Sequence, residues 1–235
     1  MEVMMVTQHL SATVRRTQIL DAARRLFLSK GYEATTIEDV LGAVGIAKGT
    51  LYHHFPGKEA ILDAIVMRTT DAIEERADRA ARNASQPAPA RFLAVVTAAR
   101  APREDIELAQ QLRLSGNLRF HIMAMTEGYT RLLPILTRVV EEGVAAGELS
   151  TPDPRGSVEV ILAAGLTLLD GGIFPPMTEE DAACAEQRRT ALARTVVLLL
   201  GADPTAMAIP APDTDDAPAT TAGSRTTGGD LPAPL

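Results

Sequence analysis

From Thr13 onward the apolar residues recur at helical spacing, and the breaks in that pattern fall at Gly and Pro. Ile19, Ala22, Ala23, Leu26 and Phe27 stand at i, i+3, i+4, i+7 and i+8, which puts them on one face of a helix. Gly31 follows, at the place where helices commonly stop. Ile37, Val40, Leu41 and Val44 repeat the spacing before Gly45 interrupts it. A third short helix is expected from about Ala47 to His54, closed by Pro56 and Gly57, because Pro disfavours helix in the residue before it. Thr35 or Thr36 can cap the second helix, and Thr35 with Glu38 has the spacing of a capping box. No convincing strand pattern occurs, so the chain is expected to be all-α.

The same reasoning carries through the rest of the chain. A long helix is expected over about 58–83, followed by a turn at SQPAPA (85–90) and helices at about 91–101, 104–114 and 117–146. Pro134 lies inside the last of these and should kink it. STPDP (150–154) is a break, and two final helices fit 155–170 and 179–200. With aromatics at 3% and no Trp, the core has to be built from Ala, Leu, Val and Ile, which suits helices. From residue 202 the chain turns to Pro, Ala, Thr, Gly and Asp, too poor in large apolar groups to offset its ordering entropy. The expected organisation is therefore a flexible 1–12, a three-helix unit at 13–60, a larger helical unit at 61–201 and a disordered tail at 202–235.

The net charge of −7 argues at first against a nucleic-acid partner. The charge is unevenly spread, however: residues 1–58 carry +2 and residues 59–235 carry −9. All three lysines, Lys30, Lys48 and Lys58, fall in the first part. The single Cys184 excludes an intramolecular disulfide and a cysteine-cluster metal site. The first sixteen residues lack a basic start followed by a long apolar stretch, so no signal peptide is expected. No apolar run is long enough to span a bilayer. A soluble, cytoplasmic protein is expected.

The helix–Gly–helix at 36–55 has the form of a helix-turn-helix, whose second helix enters the major groove of DNA. In AKGTLYHHF (47–55) Leu51 and Phe55 are four apart and face inward. Lys48, Gly49, Thr50, Tyr52, His53 and His54 crowd the first turn and the outer face. These are the donors that phosphate and base edges need, with a Gly that permits close approach. Thr36 and Lys58 stand at two further helix starts, where free N–H groups suit a phosphate. No nucleophile elbow, Gly-rich phosphate loop, HExxH or paired-carboxylate signature points to an enzyme, and no metal or other cofactor is expected.

The run GTLYHHFPGKEAIL (49–62), within TTIEDVLGAVGIAKGTLYHHFPGKEAILDAI, resembles the DNA-binding domain of the TetR (tetracycline repressor-like) family. The resemblance covers about residues 13–62. It implies a three-helix helix-turn-helix domain followed by a helical ligand-binding and dimerisation domain. It implies phosphate contacts from Thr36, Thr50, Tyr52, His54 and Lys58, and base-edge approach by Lys48, the Gly49 backbone and His53. Ile37 departs from family members that place a polar base-reading residue there, so that contact is expected to be absent. A homodimer through the last two helices is implied, and the apolar stretches at 163–172 and 192–200 fit a partner surface. So is a mostly apolar pocket for an unknown small molecule, with Phe92, Leu112, Leu118, Met123, Tyr129 and Leu132 as candidates to line it. Arg113, Arg119 and His121 are expected on solvated surface. The implied function is a ligand-responsive regulator, a repressor, that binds a palindromic double-stranded operator.

Overall fold

The computed structural model describes residues 11–114, 117–169 and 179–207. Among these it contains nine α-helices and no strand. Helix α1 (Ala12–Lys30) starts where the Ser11 hydroxyl accepts a hydrogen bond from the Val14 N–H. It stops at Gly31, whose φ of 86° is open to glycine and disfavoured for other residues. Helix α2 (Ile37–Val44) stops at Gly45, a left-handed residue whose N–H closes on the Leu41 carbonyl. Helix α3 (Lys48–His54) and the 24-residue α4 (Lys58–Ala81) complete the first part. Five more helices follow: α5 (Ala88–Ala98), α6 (Arg103–Leu114), α7 (Leu118–Ala145), α8 (Pro154–Leu168) and α9 (Glu179–Leu200).

Several expectations need correction. The capping box of α2 is built by Thr36 with Asp39, not by Thr35 with Glu38. Thr35 is buried, and its hydroxyl donates to the Gly31 carbonyl at the end of α1. Helix α5 begins at Ala88, inside the expected turn, because Pro89 can occupy the first turn of a helix, where its missing N–H is not needed.

Two apolar cores organise the molecule. The first gathers Ile19, Leu20, Ala23 and Phe27 of α1, Val40 of α2, Leu51 of α3 and Ile61, Leu62 and Ile65 of α4. It also takes in Leu108 and Leu112 of α6 and Phe120 of α7, residues far along the chain. The second joins Ala77 and Ala81 of α4 to Phe92 and Val95 of α5, Leu132, Leu136 and Val139 of α7, Val158 and Ile161 of α8 and Val196 and Leu200 of α9. Helix α4, about 36 Å long at 1.5 Å per residue, thus enters both cores.

The expected tail begins in packed structure. The Ala202 N–H donates to the Val197 carbonyl, and the Ser150 N–H donates to the Leu200 carbonyl. Ala202 and Met207 are buried in the second core. The rest of that expected tail, 208–235, lies outside the described residues, as do residues 1–10. A chain ending at Gly201 is therefore expected to be less stable than one ending at Met207 by about 1.5–3 kcal/mol, the worth of a buried methionine side chain. Denaturant unfolding of the two truncations measures this, and identical midpoints would show that Met207 does not pack in solution.

Candidate nucleic-acid interface

Helix α3 stands on the first core by two anchors. Leu51 is fully buried and Phe55 nearly so. With those side chains turned in, Lys48, Gly49, Thr50, Tyr52 and His53 face solvent together and His54 is half-buried beside them. Tyr52 keeps 46% of its surface exposed. Nothing lies within 4 Å of where a Gly49 side chain would be, so the backbone there is open to close approach. The turn before α3 is held by the Ile46 N–H, which donates to the Leu41 carbonyl at 3.3 Å.

Lys48 is not a lone cation. Its Nζ donates to Glu38 Oε1 at 3.2 Å and lies 6.0 Å from the centre of the Tyr52 ring. Glu38 and Lys48 therefore meet at their tips, one from the first turn of α2 and the other from the first residue of α3. The Glu38 carboxyl is held below its ordinary range by a backbone N–H and then by Lys48.

Thr36 and Lys58 are engaged internally as well. The Thr36 hydroxyl donates to Asp39 Oδ2 at 2.8 Å and accepts from the Asp39 N–H at 3.1 Å. The Thr36 N–H also donates to Asp39 Oδ2. Lys30 donates to the same carboxylate at 2.6 Å, and these bonds, Lys30 first, hold the Asp39 carboxyl down to about 2. Thr36→Ala is thus expected to cost about 1 kcal/mol of stability through the lost N-cap. Thr36→Ser, which keeps the hydroxyl, should retain it. Chemical denaturation of both variants checks this; equal loss in both would assign the effect to the methyl group.

Lys58 Nζ donates to the carbonyls of Tyr32 and Glu33, at 2.8 and 3.3 Å, and sits 4.3 Å from the Tyr32 ring centre. It ties the first turn of α4 to the link between α1 and α2. Its charge is not neutralised by these carbonyls. The Tyr32 phenol is pushed up to about 12, chiefly by burial and then by Glu59, Glu33 and Asp63.

One cation escaped the sequence reasoning. The Arg16 guanidinium lies 5.0 Å from the centre of the Phe55 ring, beside the end of α3 that carries His54. The signal was the Arg15–Arg16 pair just inside the first helical pattern. It draws notice only once α1 is known to run past the foot of α3.

The six residues expected to line one pocket are not brought together. Phe92 and Leu132 are buried in the second core and Tyr129 packs against it. Leu112 is buried in the first core and Met123 packs against that one. The side chains of Leu118 and Arg113 lie outside the described residues. Arg119 is exposed and pairs with Asp63 at 2.8 Å. His121, expected on solvated surface, is buried, next to Phe120 at the start of α7. Charged side chains line two open clefts elsewhere. One, of about 420 Å³, is lined by Arg24, Arg68, Arg76, Arg103, Glu104 and Asp105 among others. The other, of about 660 Å³, surrounds Tyr32, Lys58 and Asp63 at the start of α4. None of the six candidates lines either.

On α8 and α9 large apolar side chains stay uncovered: Val160 is 54% exposed, Leu168 37% and Leu198 80%. Among the described residues no helix is long and apolar enough to cross a membrane.

Comparison with known proteins places residues 19–65 in a family described as bacterial regulatory proteins, tetR family. The HTH-type transcriptional repressor KstR2 of Rhodococcus jostii (strain RHA1) is 50% identical over 52 residues, which are 22% of this chain and 26% of that protein. The HTH-type transcriptional regulator UidR of Escherichia coli (strain K12) is 38% identical over 65 residues, 28% of this chain and 33% of that protein. These matches span only a quarter to a third of the relatives' own length. Solved structures are similar over far more of the chain. A TetR/AcrR-family regulator from Thermobifida fusca aligns with 76% of this chain and 96% of its own, at 27% identity and a TM-score of 0.56. A TetR-family regulator from Pectobacterium atrosepticum aligns with 80% and 95%, at 20% identity and a TM-score of 0.58, a likeness of fold. The helix-turn-helix at α2–α3 and these matches agree: residues 19–65 match the tetR family of bacterial regulatory proteins, and the chain shares the fold of solved TetR-family regulators.

Proposed function

We propose that this protein is a ligand-responsive transcriptional repressor of the cytoplasm that binds a palindromic operator as a homodimer and is released by a small, largely apolar molecule. The observation that carries this reading is the geometry of α3. Leu51 and Phe55 are sunk in the core, while Lys48, Thr50, Tyr52 and His53 stand exposed on its outer side. That arrangement suits a recognition helix in a major groove, with residues 13–60 carrying the DNA contacts.

The uncovered Val160, Leu168 and Leu198 support pairing of α8 and α9 with a second copy. A two-fold dimer presents two recognition helices, so the operator should hold two half-sites roughly 34–36 Å apart or somewhat more. Footprinting on the DNA flanking the protein's own gene tests this, and a single asymmetric site bound by a monomer would overturn it. Leu198→Glu is expected to give a monomer by sedimentation and to lose operator binding with it.

Support for a small-molecule effector comes from the family and from α4, which joins the two cores. Release must obey linkage: a ligand that weakens operator binding by some factor is bound that much less tightly by the DNA complex. Candidate apolar ligands are tested by operator affinity with and without ligand, beside direct binding to the free protein. Ligands that bind tightly and leave operator affinity unchanged would remove the induction step and leave DNA binding standing.

A further inference from the structure

Glu38 and Lys48 are both exposed, with 67% and 61% of their side-chain surface open. Their tips are 3.2 Å apart. Whatever base edge Lys48 meets, the Glu38 carboxylate is within hydrogen-bond reach of the same place. We propose that the two act as one unit that reads a single G·C base pair in each half of the operator, an inference that rests on the operator binding proposed above.

The chemistry follows from what each group can do. An ionised carboxylate only accepts and an ammonium only donates. The Glu38 carboxyl stays ionised because a backbone N–H and Lys48 both hold it low. In the major groove a G·C pair presents the O6 acceptor of guanine beside the N4 amino donor of cytosine. Those two atoms are hydrogen-bonded to each other, so they lie about 2.7–3.2 Å apart. The Lys48–Glu38 spacing matches that edge: Lys48 donates to O6 and the cytosine amino group donates to Glu38. The open backbone at Gly49 lets the start of α3 come close enough for such contact.

The other base pairs fit less well for stated reasons. C·G and A·T reverse the order, setting a donor against Lys48 and an acceptor against Glu38. T·A keeps the order. It replaces the guanine N7 beside Lys48 by a methyl group and sets the adenine N7 acceptor beside Glu38. The expected ranking at this position is G·C first, T·A second, and A·T and C·G last. Asp39, one residue along, is committed to the cap of α2, because donors from Thr36 and Lys30 converge on its Oδ2.

The test starts with selection of duplexes from a randomised pool by the wild-type protein. Affinities are then measured for all four base pairs at each position of the selected half-site, for wild type, Glu38→Gln and Lys48→Met. The wild type is expected to show one position with the ranking above, G·C exceeding A·T and C·G by roughly 5- to 150-fold. In Glu38→Gln, whose amide both donates and accepts, that discrimination should fall below about threefold while other positions keep theirs. In Lys48→Met the preference at the same position should also collapse. If Glu38→Gln keeps the ranking and raises affinity equally for every duplex, Glu38 merely repels DNA and the inference is wrong. A selected palindrome without such a position overturns the inference alone. A pool with no enriched sequence overturns the operator binding as well. Melting temperatures of the variants, both altered at exposed positions, verify that each is folded.

Discussion

Raising the salt from about 50 to about 200 mM is expected to weaken operator binding by roughly 10³- to 10⁵-fold. A dimer that neutralises six to ten phosphates releases the counterions that had been condensed on them, and this dependence follows. The structure divides the cations by their contribution. Lys58 gives two of its donors to carbonyls, which carry no net charge, so it remains a full cation with a donor to spare. Lys48 is paired with a carboxylate. Lys58→Ala should therefore reduce the slope of log affinity against log salt by about one per subunit, and Lys48→Ala should change it less. The slopes are read from titrations at four or more salt concentrations. A flat response in the wild type would exclude phosphate-driven binding.

Leu112→Ala is expected to cost about 2–5 kcal/mol of folding stability, as truncation of a buried leucine does. For a chain of this size that lowers the melting temperature by roughly 2–4 °C per kcal/mol. The side chain is fully buried in the first core, against helices that carry the residues proposed to face DNA. A residue lining a ligand cavity would behave otherwise, with stability little changed and the ligand response altered. Thermal unfolding and operator affinity measured together separate the cases. Affinity well below the melting temperature should stay near wild type, since no DNA-facing group is removed. Stability within about 0.5 kcal/mol of wild type, as for a surface site, would place Leu112 outside the core.

The first four helices are legible because their signals are local. Apolar spacing names the inward face, and Gly31 and Gly45 mark the ends. The cap of α2 is not, because two overlapping Thr-x-x-acid patterns, Thr35 with Glu38 and Thr36 with Asp39, satisfy the same rule. Only the position of Thr35 under the end of α1 decides between them. The proposed pocket suffers from a related degeneracy. Periodicity shows that Leu112, Met123, Phe92 and Leu132 face inward and does not show that they face two different interiors. Met207 stands in a short stretch, TAMAIP (205–210), with no period to announce it. The Lys48–Glu38 pair was hidden because its members come from different helices, ten positions apart, with a turn between them.

Helix α6 has a bearing on how such chains recombine. It closes the first core with Leu108 and Leu112. It is also joined to α1 and α4 at Asp105, whose carboxylate accepts from the Arg24 guanidinium at 2.7 Å and from the Thr69 hydroxyl at 3.1 Å. Gln111 adds a hydrogen bond to the Leu28 carbonyl. The helices proposed to face DNA are therefore not a cassette that can be cut at residue 60 and grafted onto a foreign body. A chimera made there takes Ile61, Leu62, Ile65, Leu108, Leu112 and Phe120 out of the first core and strands Arg24 without Glu104 and Asp105. One that carries the start of α4 and the matching faces of α6 and α7 across with the head keeps both, so exchange of heads is constrained to bodies whose helices already fit.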